Sequence, residues 1–348
     1  MTTPAFARRQ TTRRNLLKAS KRLALGFAAA NSLCPAWAQQ KVITCKVAHV
    51  EAIGSPLTEA LEKWTKLLNA ESKGRLEVQH FPAGQLGSYT QLIEGSRIGT
   101  IQITTGGPDT EESVAPEIAA TGGAPGFIFV DEGHVDRVLQ GPIGEEVSKI
   151  ARQKTGVEFV AYGEVGFRHL LSKRPVETLA DLRGLKIRVP EIRIWVDFWK
   201  RLGANPTPLP YAEQYSALSS GVIDGLEADV FSIKGYKWHE QAKHLTLTSH
   251  WFLPKAIRVN ARWLDGLPED LRQLVRDSAK QTFAEQRALN RAGTAKALDE
   301  LKATGAIVHN ISDMPKWREA AEPLFVEFSA RGPAVKDMVT KIRSLATS

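Results

Sequence analysis

The sequence predicts an α/β protein with two lobes, and three observations support this prediction. The chain has 348 residues, and at ~150 residues per domain this length corresponds to about two domains. Segments with strand periodicity alternate with segments of helical periodicity over residues 41–162. A second alternating unit begins near residue 168, and one long helical pattern then extends from Leu267 towards Gly305. A helix of that length can bridge two lobes.

The first 38 residues have the three-part form of an export signal. They contain seven basic residues and no acid, then an apolar stretch at 23–30, then the small-residue pattern Ala36-Trp37-Ala38. This arrangement predicts a signal peptide over residues 1–38 that is cleaved after Ala38, and export to the periplasm. The pair Arg13-Arg14, followed by Asn15-Leu16-Leu17, favours the twin-arginine route. A Sec signal with a rich basic region is the alternative.

The net charge of +8 does not indicate a nucleic-acid-binding protein. Removing the seven basic residues of the signal leaves 8 − 7 = +1, so the mature chain is nearly neutral and a phosphate-binding surface is not expected. No apolar run approaches the ~20 residues that cross a bilayer. Cys45 is the single cysteine after the signal and lies in an apolar strand pattern, which predicts a buried core residue rather than a catalytic thiol.

The first half of the mature chain has the pattern of a parallel α/β unit. A strand at 41–50 is followed by Ser55-Pro56, a helix cap with proline in the first turn, and by helical spacing up to Gly74. A strand at 75–81 comes next, and the intervening helix is typical of a right-handed crossover between parallel strands. The pattern continues with a helix through Ile93, a strand at 100–105, a helix near 142–154 and a strand at 157–162.

The second half begins after Gly163 and Gly166, where we expect the chain to cross between the lobes. The predicted elements are a strand at 168–172, a strand at 185–189, an aromatic-rich helix at 194–199, a proline loop at 206–210, a helix from Tyr211, and strands at 222–227 and near 256–260. Two amphipathic helices end the chain. The predicted lobes are 39–165 with about 254–293, and 166–253 with about 294–348.

Arg188 is the principal candidate for a binding residue. In the stretch 184–190, alternation places Lys186, Arg188 and Pro190 on one face of a strand and apolar residues on the other, so Arg188 points towards a surface or cleft. Pro190 removes a backbone donor and ends the strand. A guanidinium matches a carboxylate at two points and stays charged at physiological pH. A salt bridge to a protein carboxylate is the alternative role.

Several motifs follow one another along the chain. They are Ser72-Lys73-Gly74-Arg75, Phe81-Pro82-Ala83-Gly84-Gln85-Leu86-Gly87, Leu185-Lys186-Ile187-Arg188-Val189-Pro190, Leu202-Gly203-Ala204-Asn205-Pro206, and Tyr215-Ser216-Ala217-Leu218 leading to Gly221-Val222-Ile223-Asp224-Gly225-Leu226-Glu227. In this order and spacing the chain resembles the extracytoplasmic solute receptors (DctP-like) of TRAP transporters, the tripartite ATP-independent periplasmic systems. The resemblance covers nearly all of the mature chain.

The resemblance implies a two-lobed periplasmic binding protein fold with crossing strands and a long lobe-bridging helix. It implies a receptor, not an enzyme, that closes over a small organic acid and delivers it to integral membrane TRAP permease subunits. We expect a monomer, because packing within the chain is the simpler use of the terminal amphipathic helices. No cofactor is predicted, although calcium assists binding in some relatives.

Particular site residues also follow from the resemblance. The principal carboxylate-binding arginine of the family falls on Arg188 and a second, less uniform one on Arg168, for which a structural salt bridge is an equal alternative. Tyr211 stands where relatives often present an aromatic residue to the ligand, and Glu191 is placed to accept a hydroxyl group. Asp229 stands where many relatives have asparagine, and a carboxylate beside a bound carboxylate is repulsive unless a cation or proton intervenes. Contact with substrate hydroxyls, pairing with an arginine and help in holding a metal are the alternatives for Asp229.

Four further residues are candidates for the lining of the cleft: Trp195, Trp251, His49 and Thr105. A tryptophan at helical spacing is as readily a core residue. A secreted α/β hydrolase or lyase that uses Asp229 or Glu227 is the alternative function, but the sequence assembles no nucleophile, base and orienting group. A sensory or scaffold protein that keeps the receptor fold is a third hypothesis.

Overall fold

The computed structural model describes residues 42–346, so the predicted signal peptide and its cleavage site lie outside the described residues. The strands are β1 (Ile43–Ala48), β2 (Leu76–Phe81), β3 (Ile103–Gly106), β4 (Val157–Ser172), β5 (Lys186–Val189), β6 (Asn205–Pro208), β7 (Gly225–Ala228), β8 (His244–Asn260) and β9 (Ile307–Asn310). The helices are α1 (Pro56–Glu71), α2 (Tyr89–Ile98), α3 (Pro116–Ala119), α4 (Glu132–Leu139), α5 (Pro142–Thr155), α6 (Arg193–Arg201), α7 (Gln214–Ser220), α8 (Val230–Gly235), α9 (Ala261–Asp265), α10 (Glu269–Ala303), α11 (Met314–Ser329) and α12 (Pro333–Ser344). Within this part of the chain, no helix combines the length and apolar character of a membrane span.

All of these strands join one nine-stranded sheet in the order β2-β1-β3-β8-β4-β7-β5-β6, with β9 beside β8. The parallel pairing of β1 with β2 and with β3 confirms the predicted crossover. The first lobe is built on β1 to β3, and the second on β5 to β7. The long antiparallel strands β4 and β8 belong to both, so the two-lobed α/β fold with crossing strands is confirmed.

The first helix shows how local sequence sets this frame. The Ser55 hydroxyl accepts a hydrogen bond from the Thr58 amide at 3.3 Å, and proline follows in the first turn. The buried face of α1 includes Trp64, whose ring meets the edge of the Phe283 ring on α10 at 5.7 Å between centroids. The cap and the apolar spacing therefore both act as predicted. Cys45 is fully buried, also as predicted.

The chain crosses between the lobes at Gly163–Arg168, as expected, but as one continuous strand rather than between two short ones. The two short strands predicted at 157–162 and 168–172 are parts of β4, a single strand of 16 residues. Register shifts between Glu164 and Gly166 and between Arg168 and Leu170 bend the strand without ending it, because a bulge absorbs an extra residue while the flanking pairs persist. Gly166 has φ +87°, which glycine adopts at low cost.

Three further elements differ from the ones predicted from the sequence. The strand predicted near 256–260 is the end of β8, which begins at His244 and has 17 residues. The proline loop predicted at 206–210 contains β6, which pairs with β5 at the edge of the sheet, where a missing amide donor is tolerated. The helix predicted from Tyr211 starts with a 3-10 turn and continues as α7.

The long helix α10 has 35 residues, which is about 50 Å at 1.5 Å per residue. Its first part packs against α1 and β4, and its later part packs against α8, so it bridges the lobes as predicted. Helix α12 contacts α3 and the turn at 120–122, and α11 contacts α6. The exact lobe boundaries stay a prediction.

Candidate functional site

A cavity lies where elements of the two lobes meet. It is lined by Val50, Glu51, Tyr89, Asp109, Val165, Arg168, Arg188, Pro190, Ile192, Trp195, Tyr211, Asp229, Ser232, Leu253 and Lys255. Five of the nine candidate residues from the sequence, Arg188, Arg168, Asp229, Tyr211 and Trp195, are in this lining. The other four are not.

Arg188 reaches the cavity from near the end of β5, two residues before Pro190, which follows the strand. Its Nε donates to the Leu209 carbonyl at 2.9 Å, and its guanidinium lies 5.5 Å from the centre of the Tyr211 ring. It is 3% exposed and forms no salt bridge within the described chain. Burial lowers the pKa of Arg188 to about 10, opposed by the charge of Glu227. Arg188 is thus a buried cation with unused donors at a cavity wall.

Arg168, on β4, has a carboxylate partner already. Its Nε donates to Glu227 Oε2, and its Nη2 donates to Glu227 Oε1 at 3.0 Å and to the Glu227 carbonyl at 2.6 Å. Burial acts to lower the pKa of Arg168, but the charge and hydrogen bonds of Glu227 outweigh it, and the net shift is upward. Trp195 stacks near the guanidinium, 5.4 Å from its carbon to the ring centre. The structural salt bridge considered for Arg168 therefore forms.

Asp229 begins helix α8 as its N-cap. Its Oδ1 accepts from the Ser232 amide at 2.9 Å, and its Oδ2 accepts from the Ser232 hydroxyl at 2.7 Å. Asp229 Oδ2 lies 3.8 Å from Arg168 Nη1, so the two side chains form a long ion pair. The spacing Asp229-x-x-Ser232 before a short helix is an N-cap signal that the sequence reasoning did not use. Asp229 consequently has a structural role while it also lines the cavity.

The aromatic candidates divide into one layer at the cavity and one behind it. Tyr211 meets Tyr236 and Trp238 edge-on, with ring centroids 5.2 and 5.3 Å away. Trp195 stacks on Trp251 at 3.8 Å between ring centroids. Trp251 does not line the cavity, and its Nε1 donates to a backbone carbonyl at 2.7 Å. Trp251 supports Trp195 from behind because an aromatic stack fixes the orientation of both rings.

Glu191, His49 and Thr105 are not part of the lining. Glu191 faces a separate groove that shares two residues with the cavity. Thr105 donates to Glu51 Oε2 at 3.0 Å, and His49 Nδ1 lies 3.0 Å from the same oxygen. The strand-end positions of His49 and Thr105 therefore led to the correct region, but Glu51 is the residue that reaches the cavity.

Glu51 and Lys255 form a charged pair on the first-lobe wall that was not predicted from the sequence. Lys255 Nζ lies 2.9 Å from Glu51 Oε1 and 5.0 Å from the centre of the Tyr89 ring. Burial opposes both charges, but the attraction between them lowers the pKa of Glu51 and raises the pKa of Lys255. A lysine inside the otherwise apolar run Trp251–Ile257 was a usable signal, because such a charge needs a buried partner.

Asp109 was also missed. It follows β3 and is 1% exposed, and its Oδ2 accepts from Trp195 Nε1 at 2.6 Å. Burial raises the pKa of Asp109 to about 6, against the lowering effect of the Trp195 hydrogen bond. This bond joins the first-lobe segment to α6. A second link joins the lobes where the Tyr236 hydroxyl donates to the Val50 carbonyl at 2.5 Å.

Comparison with known proteins identifies one family over most of the chain. The model of bacterial extracellular solute-binding protein family 7, DctP, matches residues 47–331. The 2,3-diketo-L-gulonate-binding periplasmic protein YiaO of Escherichia coli is 32% identical over 283 residues, which cover 81% of this chain and 82% of the relative. The C4-dicarboxylate-binding periplasmic protein DctP of Rhodobacter capsulatus is 28% identical over 309 residues, covering 85% and 89%.

Solved structures agree with this comparison. A TRAP periplasmic solute-binding protein from Xanthobacter autotrophicus with bound β-D-galacturonate has a TM-score of 0.81 and 31% identity, covering 86% of this chain and 99% of that one. The sugar acid binding protein from Advenella mimigardefordensis in complex with galactonate has a TM-score of 0.83 and 28% identity, covering 88% and 98%.

Proposed function

Because the chain belongs to family 7 of the bacterial extracellular solute-binding proteins, the DctP family, we propose that it captures a sugar acid between its lobes for a TRAP transporter. Arg188 anchors the ligand carboxylate. The observation that carries this proposal is the buried Arg188 guanidinium, which faces the cavity and has no acidic partner in the described chain.

The physical argument starts from the cost of burying an unpaired charge. A buried guanidinium is stable only when hydrogen bonds and an opposite charge compensate for lost hydration. In Arg188 only Nε has a protein acceptor, and burial lowers the pKa of this guanidinium because the charged form has lost its hydration. A ligand carboxylate supplies both the charge and two acceptors. Arg168 cannot take this role as freely, because Glu227 already accepts from it.

A sugar acid is favoured as the ligand class on two grounds. Relatives of known structure hold galacturonate and galactonate, and another, from Haemophilus influenzae, holds L-gulonate. The cavity of this chain also presents polar groups besides its arginines, among them Glu51, Ser232 and Lys255. Such groups suit ligand hydroxyls better than an apolar chain.

The alternative of a secreted hydrolase or lyase has no such support. Glu227 pairs with Arg168, and both oxygens of Asp229 accept from Ser232. A general base needs a carboxylate that can reach a substrate proton. We therefore propose binding without turnover and without a cofactor, so neither added calcium nor a chelator should change the affinity.

The proteins of this family are extracytoplasmic. For this chain we propose an export route, a cleavage site, an oligomeric state and a membrane partner. Residues 1–38 direct twin-arginine export and are removed after Ala38, and the mature receptor acts as a monomer that delivers its ligand to TRAP membrane subunits. Mass spectrometry of the protein from the periplasm of a producing bacterium, with and without an active twin-arginine system, tests the cleavage site and the route.

Ligand binding is tested by thermal unfolding of the mature protein with a panel of organic acids, namely D-galacturonate, D-galactonate, L-gulonate and succinate, each with and without EDTA. A true ligand at one hundred times its Kd stabilises the fold by about 2.7 kcal/mol. Arg188→Met should cost about 2–5 kcal/mol of binding free energy. Lys186→Met, which removes a half-exposed cation on the same strand, is the matched control and should leave binding intact. Unchanged binding in Arg188→Met would overturn the proposal that Arg188 anchors the ligand carboxylate.

A further inference from the structure

We propose that Glu51 and Lys255 form a second subsite, which recognises neighbouring hydroxyl groups of the ligand and excludes acids with a second carboxylate at that end. The inference rests on the proposed function, because it takes Arg188 as the anchor for the first carboxylate. It assigns ligand selection to Glu51 and Lys255, which line the same cavity as the two arginines.

The pair is held rigidly by the residues around it. Glu51 Oε2 accepts from Thr105 at 3.0 Å and lies 3.0 Å from His49 Nδ1. The Lys255 ammonium lies over the Tyr89 ring at 5.0 Å. Both charged side chains are less than 10% exposed, at 7% for Lys255 and 4% for Glu51. A site whose side chains are fixed before binding loses little entropy when a ligand arrives.

The two charged groups still have unused hydrogen-bonding capacity. Glu51 Oε1 lies 2.9 Å from Lys255 Nζ and has no other partner in the described chain, so one of its acceptor positions is unused. The ammonium has three donors, and no protein acceptor other than Glu51 lies close to it among the described residues. Both residues line the cavity. The wall therefore offers an acceptor and a donor side by side.

This combination matches a pair of hydroxyl groups on adjacent carbons. Each hydroxyl can donate one hydrogen bond and accept others, so one can donate to Glu51 Oε1 while its neighbour accepts from Lys255. A hydrocarbon end would leave the remaining acceptor capacity of Glu51 Oε1 and the remaining donors of the Lys255 ammonium buried without partners, which is costly. The pair therefore favours a polyhydroxylated acid over an aliphatic one.

The same pair limits the charge of the ligand. Three cations line the cavity, and Arg168 and Lys255 each have a carboxylate partner, in Glu227 and Glu51. Only Arg188, among the cations that line this cavity in the described chain, has none. A second ligand carboxylate on the first-lobe wall would meet the ionised Glu51, and like charges at short range are repulsive.

A buried ion pair often contributes little to stability, because desolvation offsets the attraction. The placement of this one at the cavity surface is thus better explained by recognition than by folding. An aliphatic pair would fill the same wall as well. A purely structural role remains a testable outcome, since it predicts equal effects on all ligands.

The test uses three acids with one sugar skeleton. D-Galactonate and D-galacturonate carry one carboxylate, and D-galactarate carries two. Their Kd values are measured by calorimetry for the wild-type protein, Glu51→Gln, Lys255→Met and the uncharged double variant. Lys63→Met and Glu285→Gln alter an exposed pair at 2.5 Å and serve as matched controls.

The wild-type protein should bind at least one of the two one-carboxylate acids at least one hundredfold more tightly than D-galactarate. Glu51→Gln should narrow this ratio at least tenfold, because the repelling charge is gone. Lys255→Met should raise the Kd for the preferred one-carboxylate acid at least tenfold. The double variant keeps the side-chain volumes and leaves no buried charge unpaired, so it should fold. Its ratio of the Kd for D-galactarate to the Kd for the preferred one-carboxylate acid should also be smaller than in the wild type.

The outcomes separate the two proposals. If Arg188→Met abolishes binding of a sugar acid but the Glu51 and double variants keep the wild-type ratio, the second subsite is wrong and the proposed function stands. Tighter wild-type binding of D-galactarate than of both other acids also overturns the subsite. If the wild-type protein binds none of D-galacturonate, D-galactonate and L-gulonate, the proposed function and the subsite are both wrong; if it binds L-gulonate alone, the same ratios are taken between L-gulonate and D-galactarate.

Discussion

Glu227→Gln gives a direct measure of the buried ion pair between Glu227 and Arg168. Both side chains are almost fully buried, at 6% exposure for Arg168 and 0% for Glu227. Removing one partner of such a pair costs about 3–5 kcal/mol, because the other charge is left uncompensated. Arg168 keeps its hydrogen bond to the Glu227 carbonyl and its contact with Trp195. We therefore expect the lower end of that range, about 3 kcal/mol.

The assay is urea unfolding at pH 7, followed by circular dichroism and by tryptophan fluorescence to check that the two transitions coincide. Glu300→Gln is the matched control, since Glu300 pairs with Lys234 on the surface with both side chains at least 40% exposed. Exposed pairs contribute about 0–1 kcal/mol. A destabilisation below about 1 kcal/mol in Glu227→Gln, equal to that of the control, would show that the pair does not anchor Arg168 as the structure indicates.

Three more predictions concern stability. The pKa of Asp109 is raised to about 6 in the folded chain from 3.8, so the folded state binds the proton more tightly and stability falls as pH rises from about 4 to about 6. The fall should total about 3 kcal/mol relative to Asp109→Asn, measured by unfolding at pH 4 and pH 7; parallel curves would contradict it. Gly166→Ala should destabilise the chain by about 1–2 kcal/mol because φ is +87° at the bulge of β4. Gly184→Ala is the control, because φ is +75° there and nothing lies within 4 Å of an added Cβ. It measures the backbone cost alone, so any larger destabilisation in Gly166→Ala comes from the packing of the crossing strand β4. Ser55→Ala should cost about 1 kcal/mol through the lost cap of α1, and no change in denaturation midpoint would mean that Pro56 alone sets the helix start.

Local features of the sequence were sufficient for most elements of the fold. Helix α1 followed from Ser55-Pro56 and the spacing of its apolar residues, and α10 followed from a long uninterrupted helical pattern. Arg188 could be placed on the outer face of β5 because alternate side chains of a strand point to opposite faces. Its selection as the ligand anchor came from this geometry together with the family resemblance.

The sequence did not indicate which charges neutralise one another. Arg168 and Glu227 lie on neighbouring strands in the register Leu170 with Glu227, and the periodicity within one strand does not reveal which residue of a distant strand it will face. Glu51 and Lys255 are more than 200 positions apart and meet only because β1 and β8 flank β3.

The sequence by itself therefore determined the order of helices and strands and the strand face on which Arg188 lies. These depend on local spacing, turns and caps. The tertiary structure alone decided which cavity cation stays unpaired and that Glu51 and Lys255 meet in the same cavity, because long-range strand pairing brings these charges together. In the proposed function, ligand choice depends on those pairings, since each protein carboxylate that neutralises a cation leaves one place fewer where a ligand carboxylate can bind.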